Sequence, residues 1–550
     1  MRTTLATCLF ILVLGTSEFL AAADFGLLDQ HGRFHQLSRY RAADAVAILT
    51  FSYEDETSLQ SAAKFASSCH DVTDTTLVCL LLNASDDPVD IRANDNSPGD
   101  LPVLIDSSQT VARTLDVETL GSITVLDPKS QKVSDVELPA LSEVLPELLP
   151  EGAPLQYRYI EALGDRTISY QEEIAPLLQR RCAYCHVENG LAPWAMNRHI
   201  MVMGWSPMMR ETLITRRMPP GQIDSSVGNW ANTPELTDAE MALLVEWIDR
   251  GAPREGDGDP LTEAPDVAGE WPLGEPDLIV DVPEQQLPAT GNIDFLVKRA
   301  SLDLPADRWL SAVSYQVGDR SVLHSLLIYA LDKNVQSTDP DTLIDGSNAD
   351  YISVYVPGET DDVFADDTAF LLRSNHDLVF KLRYLTSGRE TVDRTRIGLY
   401  FRDSQPDRQL RTIALEKPDF DIPANVSEHT ESLQTAPLSN DVWLESYSPH
   451  AHSRGKSMAV SVTYPDGKQE QLINVANFNY NWQLSYKPVA QKLIPAGSVL
   501  KAETVYDNSD ANPFNPEPDR ELSAGYSGDS EMFSHFIRVA EPLTDAIRTQ

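Results

Sequence analysis

The sequence predicts a multidomain chain: an α/β unit at 24–150, an all-α unit at 166–262, and two all-β sandwich units of jelly-roll type at 272–418 and 425–545. Three observations predict it. Apolar runs at 45–51, 76–82 and 123–126 alternate with helical or turn-rich stretches, the pattern of an α/β layer. A helix is marked by a Thr237/Glu240 capping box, carries Met241, Leu244, Val245 and Ile248 on one face, and stops at Gly251 and Pro253. Beyond a linker rich in Pro, Gly and acid at 252–272, short apolar segments follow one another with frequent turn signals and no long helix. A second junction near 418–427 divides that region into halves of about one sandwich each. A length of 550 residues allows three or four such cores.

The chain opens with the pattern of a secretory signal over 1–23. Arg2 is the positive n-region, 5–14 the apolar core, and Ala21-Ala22-Ala23 a small-residue cleavage site. The apolar run is short for a bilayer, so no stable membrane insertion is expected once the leader is removed, an uncleaved anchor being the alternative. Cys8 is badly placed for a lipid-anchoring site and leaves with the leader. A net charge of -40, from 83 acidic against 43 basic residues, opposes binding to nucleic acid or anionic lipid. Of five cysteines, Cys69 and Cys79 are the two outside the leader and the motif described next. They are placed to form one disulfide in an oxidising compartment, two free thiols being the alternative.

The all-α unit carries Cys182-Ala183-Tyr184-Cys185-His186, the C-x-x-C-H attachment pattern of a covalent c-type haem. Two thiols one helical turn apart can each form a thioether to a vinyl group while His186 turns onto the iron. A structural zinc half-site would want a second Cys/His pair, and none follows at the usual spacing. A thioredoxin-type pair does not need the trailing histidine. A second axial ligand can come from Met196, Met201, Met203, Met208, Met209 or Met218, any of which can also simply pack a core. Met218 stands apart because Pro219 and Pro220 stiffen its loop. Upstream, a Ser169/Glu172 capping box opens a helix that Pro176 interrupts and restarts. The CxxCH stretch, the Met218-Pro219-Pro220 loop and Glu246-Trp247-Ile248-Asp249-Arg250-Gly251-Ala252-Pro253 together resemble small class I cytochrome c domains of large periplasmic bacterial enzymes. That resemblance implies Cys182, Cys185 and His186 as haem c attachment and proximal ligand, Met218 as distal ligand, and a bacterial periplasmic address.

The α/β unit resembles a redoxin of the thioredoxin superfamily through Phe25-Gly26-Leu27-Leu28-Asp29-Gln30-His31-Gly32, Leu101 to Asp106 and Val111 to Val117. It departs where thiol chemistry would live. The stretch after the strand ending near Phe51 reads Ser52-Tyr53-Glu54-Asp55-Glu56-Thr57, and no proline stands near Leu120-Gly121-Ser122-Ile123. The unit is expected to be a redox-inactive scaffold or docking module.

In the β region, His450-Ala451-His452 sets two imidazoles on one face of a strand. Alone the pattern is weak, and packing histidines are the alternative. With a thioether from Met532 it would favour copper, particularly Cu(I). Tyr447 to Gly455, Asn481-Trp482-Gln483, Tyr506-Asp507-Asn508-Ser509 with Asn512-Pro513, and Asp529 to Met532 resemble the C-terminal half of type II, ascorbate-dependent copper monooxygenases, the family of dopamine β-monooxygenase and peptidylglycine α-hydroxylating monooxygenase. Val322 to Leu327 and Asp393 to Tyr400 extend the likeness to the N-terminal half. The resemblance implies copper at His450, His452 and Met532. It also implies a second, electron-storing copper, whose three ligand positions here read Leu323, His324 and Arg383. Leucine cannot ligate and a guanidinium repels a cation, so one copper ion is expected. His376, His429 and His535 are expected to be exposed or packing residues.

Three functions follow. The first is a haem- and copper-containing oxidoreductase that hydroxylates a small molecule or peptide, with the cytochrome replacing the lost copper as electron donor. The second is a periplasmic electron-transfer cytochrome whose monooxygenase-like region is non-catalytic and serves docking. The third is a structural or sensory assembly. The first two require a redox partner protein or small-molecule reductant.

Overall fold

The computed structural model describes residues 24–70, 76–94, 97–133, 152–263, 271–293, 295–337, 339, 343–344, 349–525 and 530–543; the leader expected at 1–23 lies outside them. The α/β unit is built from β1 (Gly26–Asp29), β2 (Phe34–Gln36), β3 (Ala45–Thr50), α1 (Glu56–His70), β4 (Leu77–Asn83), α2 (Pro88–Ala93), β5 (Val103–Ile105), α3 (Thr110–Thr114), β6 (Ile123–Asp127) and β7 (Lys132–Val133). Its mixed sheet runs β2-β1-β5-β4-β3-β6-β7, with β4 parallel to both β3 and β5. All six residues of β3 are buried, as an apolar run without alternation requires when both faces of a sheet are covered. Ala47, Leu49 and Phe51 pack with Ala62 and Phe65 of α1. Val46 and Ile48 face the other way, into a core shared with the next unit. Cys69 and Cys79 are disulfide-bonded, tying the end of α1 to β4.

That next unit is helical: α4 (Arg158–Leu163), a π-turn at Tyr170–Ile174, α5 (Ala175–Arg181), α6 (His199–Ile214) and α7 (Asp238–Asp249), with no β-strand between 158 and 249 among the described residues. The Thr237/Glu240 capping box of α7 is present in both directions. The expected Ser169/Glu172 box is corrected by one residue. Ser169 Oγ accepts the Glu172 amide at 3.1 Å, but the carboxylate that reaches back to the Ser169 amide is that of Glu173, at 3.0 Å. The wider π-turn holds an extra residue, which brings the later glutamate round to the cap. Pro176 opens α5, where its missing N–H costs no hydrogen bond. Val202, Met209 and Leu213 of α6 and Leu244, Trp247 and Ile248 of α7 complete the core begun by Phe25, Val46 and Ile48. The α/β unit is therefore the platform on which the helices are laid.

In the β region a nine-stranded sheet runs Lys492–Ile494, Val442–His450, Ser534–Pro542, Arg408–Glu416, Thr368–Leu372, Arg308–Gln316, Arg396–Arg402, Leu278–Asp281, with Asp361–Val363 beside Arg308–Gln316. The expected junction near 418–427 does not interrupt it. Arg408–Glu416, from before the junction, pairs with Ser534–Pro542 from after it, from Arg408↔Pro542 to Glu416↔Ser534. Each half of the long sheet is covered by a four-stranded sheet. One runs Leu296–Ala300, His376–Tyr384, Leu323–Asp332, Ala349–Tyr355, and the other His429–Gln434, Val499–Tyr506, Gly455–Thr463, Gln469–Val475.

The strand His376–Tyr384 is buried at every position, and its period-two alternation explains why. Leu378, Phe380, Leu382 and Tyr384 enter the first sandwich core. The intervening Val379 packs with Tyr329, Tyr351 and Phe536 in a smaller cluster between the two halves. Asp362 closes this joint, receiving Arg538 Nη2 at 3.1 Å and Lys487 Nζ at 2.9 Å.

Candidate functional site

Two groups of side chains singled out by the sequence are each gathered by the fold. The first surrounds an apolar cavity of about 380 Å³ lined by Cys182, Cys185, His186 and Met218 together with Trp194, Met196, Trp205, Met208, Met209, Pro219 and Pro220. That volume lies within the roughly 300–1,000 Å³ usual for cofactor sites. The end of α5 supplies the cysteines: the Cys182 amide bonds Leu178 O at 2.9 Å, and the Cys185 and His186 amides return to Cys182 O at 3.2 and 3.1 Å. Neither thiol is in a disulfide. Burial pushes each up to about 12, so both are neutral thiols at ordinary pH. His186 donates Nδ1–H to Trp194 O at 3.1 Å, which fixes its ring and leaves Nε2 as the donor atom for a metal. Trp194 stacks on Trp205 with ring centres 5.6 Å apart, extending the apolar wall.

Of the six methionines between 196 and 218, Met196 and Met209 are buried in the core as well as touching the cavity, and Met203 and Met208 are exposed. Met218 sits on the Pro219-Pro220 turn, its amide bonded to Thr212 O at 3.1 Å. The cavity thus offers two thiols, one imidazole and the thioethers of Met196, Met208, Met209 and Met218 around an apolar interior, a donor set that fits an iron porphyrin.

The second group forms where the strand Val442–His450 ends. Ala451 drops into the sandwich core, so His450 and His452 turn the other way, ring centres 5.6 Å apart. His452 Nδ1 bonds Ser530 O at 2.8 Å, and His450 Nδ1 bonds Gln483 Oε1. Both Nε2 atoms are buried and have no hydrogen-bond partner. Met532 is 7% exposed and lines a small cavity with His450, Lys381 and Phe536. Two imidazoles whose Nδ1 atoms are engaged and whose Nε2 atoms are orphaned, with a thioether beside one of them, fit a soft metal ion. Burial holds both rings neutral, His452 down to about 4 and His450 well below its usual value, and Lys381 adds to the effect on each. Neutral imidazole is the form that ligates.

The three positions compared with a second copper lie on paired strands but offer no common ligand set. Leu323 is in the first sandwich core. His324 spends Nε2 on Asn481 O at 2.5 Å. Arg383 lays its guanidinium 3.7 Å over the Tyr480 ring, and its charge helps drive His324 down to about 4, after burial. His376, His429 and His535 join neither site. His535 is fully buried between Tyr447 Oη at 2.7 Å and Thr504 Oγ1 at 2.8 Å, and His429 pairs with Glu431 at 2.8 Å.

Sequence reasoning missed the role of Glu531. It is 0% exposed, and its two carboxylate oxygens each accept a 2.8 Å amide bond, from His452 and from Arg454. It clamps the turn that carries the second histidine, and burial raises its own pKa to about 7. The redoxin-like position after Phe51 is likewise built for structure: the Tyr53 amide bonds Asp86 Oδ2 at 2.7 Å, which also receives Asn83 Nδ2 at 2.6 Å.

No helix among the described residues is long and apolar enough to cross a membrane. No protein-family model and no curated protein matches the chain. Solved structures with thioredoxin- and peroxiredoxin-like folds resemble its N-terminal part at low coverage. A peroxidoxin, BcpB, from Mycobacterium tuberculosis is 22% identical over 20% of this chain and 79% of its own, with a TM-score of 0.18. A thioredoxin-like protein from Aeropyrum pernix is 14% identical over 22% of this chain and 89% of its own, also at 0.18. A hypothetical protein from Sinorhizobium meliloti 1021 is 21% identical, and the chain spans 66% of its length at a TM-score of 0.19. The chain is multidomain and rich in β-sheet.

Proposed function

We propose that the chain is an exported, periplasmic haem c- and copper-containing oxidoreductase, a monooxygenase-like enzyme that hydroxylates a small molecule or peptide. The observation that carries it is the pairing of His450 and His452, each with a buried, unpartnered Nε2, beside a cavity that His450 shares with Met532. Cys182 and Cys185 would attach the haem and His186 and Met218 would ligate it. The haem would supply reversible one-electron chemistry, and copper at the histidine pair would supply oxygen activation. Gln483 and Ser530 orient the two rings, Glu531 fixes the turn that carries His452, and Phe295 and Phe536 wall the pocket beside His450. Lys381 and Arg383 place positive charge near the rings, which favours the singly charged cuprous ion over the cupric. Electrons would come from a redox partner protein or small-molecule reductant.

One observation favours the reading in which the chain is an electron-transfer cytochrome with a non-catalytic β region. The cavity against His450 and Met532 measures only about 20 Å³, room for about one water and not for a substrate. Metal analysis with a reduced-haem spectrum and oxygen uptake separates the two. One copper per haem with substrate-dependent oxygen uptake supports the oxidoreductase. One haem, no copper and no uptake supports the carrier.

A further inference from the structure

The haem-type cavity and the histidine pair belong to different units, yet one short segment touches both. Trp482 lines the cavity that Cys182, His186 and Met218 surround. The next residue, Gln483, bonds His450 Nδ1 through Oε1. The orientation of that amide is set by its own donors: Gln483 Nε2 gives one hydrogen to Tyr480 O at 3.0 Å and approaches Ala451 O at 3.4 Å, so the oxygen faces the imidazole.

The segment is fixed to both sides. Tyr447 and Tyr486 exchange two backbone bonds of 2.8 Å, joining it to the strand that ends in His450. Tyr486 Oη donates to Gly221 O at 2.6 Å, and Asn232 holds Ser485 O at 2.5 Å and the Lys487 amide at 2.8 Å. Gly221 closes the loop that carries Met218, and its φ of +70° with Leu484 against it leaves no room for a side chain. A contact made by one mobile loop would not need so many bonds at one seam.

Resting on the functional reading above, we propose that Trp482 and Gln483 form the route by which single electrons pass from the haem to the copper. The path is the indole at the cavity wall, one peptide bond, the Gln483 side chain, one hydrogen bond and the His450 ring. Ferrous iron loses one electron and becomes ferric; cupric copper gains it and becomes cuprous. No bond is made or broken and no proton moves, and an external one-electron reductant returns the haem to the ferrous state.

The test uses full-length protein carrying haem and Cu(II), with the haem reduced by a flash under anaerobic conditions and its reoxidation followed optically. Trp482→Leu and Gln483→Leu should each slow that single step by about tenfold or more, the range seen when a group behind a metal ligand is removed. Trp482→Phe, which keeps an aromatic wall, should stay near the wild-type rate. The haem spectrum and midpoint potential of copper-free protein, and the copper content, report whether a slow variant has merely lost a site. Wild-type rates in both leucine variants with both metals bound would overturn the route. A wild-type protein that binds no copper would overturn the functional reading and the route with it.

Discussion

Glu531→Ala tests whether the histidine turn is held by one buried carboxylate. The structure sets the size of the effect. Two amides, of His452 and Arg454, each lose a 2.8 Å acceptor in a place fully shielded from water. An unpaired buried donor costs about 1–3 kcal/mol, so the two together should cost about 2–6 kcal/mol. Glu531→Gln keeps one carbonyl oxygen and turns an NH2 toward the other amide, so it should lose about half of that. Metal binding should follow in the same order, because a group that orients a ligand is commonly worth about 10–100-fold in affinity. Differential scanning calorimetry of the full chain gives the first quantity and chelator competition for Cu(I) gives the second. Equal melting of the alanine variant and wild type, with equal copper affinity, would refute the clamp.

Three further outcomes are expected. Asp106 is wholly buried and its pKa is raised to about 6 by desolvation, against 3.8 in an exposed carboxyl. A raised acid stabilises the fold fully below about pH 4 and loses that contribution as pH rises through about 6, a change of about 3 kcal/mol. Asp106→Asn, which can still accept the Ala112 amide, should therefore flatten the decline in melting temperature between pH 4 and 7; an unchanged slope would assign the decline elsewhere. Asp362→Ala leaves Arg538 and Lys487 without their shared carboxylate and should destabilise the β region by about 3–5 kcal/mol, while Asp362→Ala with Arg538→Leu should lose less than the sum of the two single variants; strictly additive losses would show the pair is not coupled. Replacing Cys182 and Cys185 together by serine should give protein whose haem is extracted by acidified organic solvent, and haem that stays bound under those conditions would contradict thioether attachment at these thiols.

Much of the architecture was legible because local rules and tertiary context agree. The run of six apolar residues in β3 is buried on both faces, and the Thr237/Glu240 box starts its helix. Where the two levels differ, the reason is also physical. The cap at Ser169 shifts to Glu173 because a π-turn, which propensity does not reveal, changes the phase of the helix. The division near 418–427 is written in turn-forming residues, but hydrogen bonding between Arg408–Glu416 and Ser534–Pro542 carries the sheet across it.

The sequence by itself determined the chemical inventory: two thiols and a histidine at C-x-x-C-H spacing, a methionine held by two prolines, and two histidines at period two. These are short-range facts, readable because covalent spacing fixes them. Only the tertiary structure decided that Glu531 holds the His452 turn, that Arg383 rests on Tyr480, and that Trp482 and Gln483 link two sites from units far apart in the chain. Such contacts depend on how whole sheets and helices pack, and packing is set by the sum of many weak apolar contacts that no single stretch of sequence records.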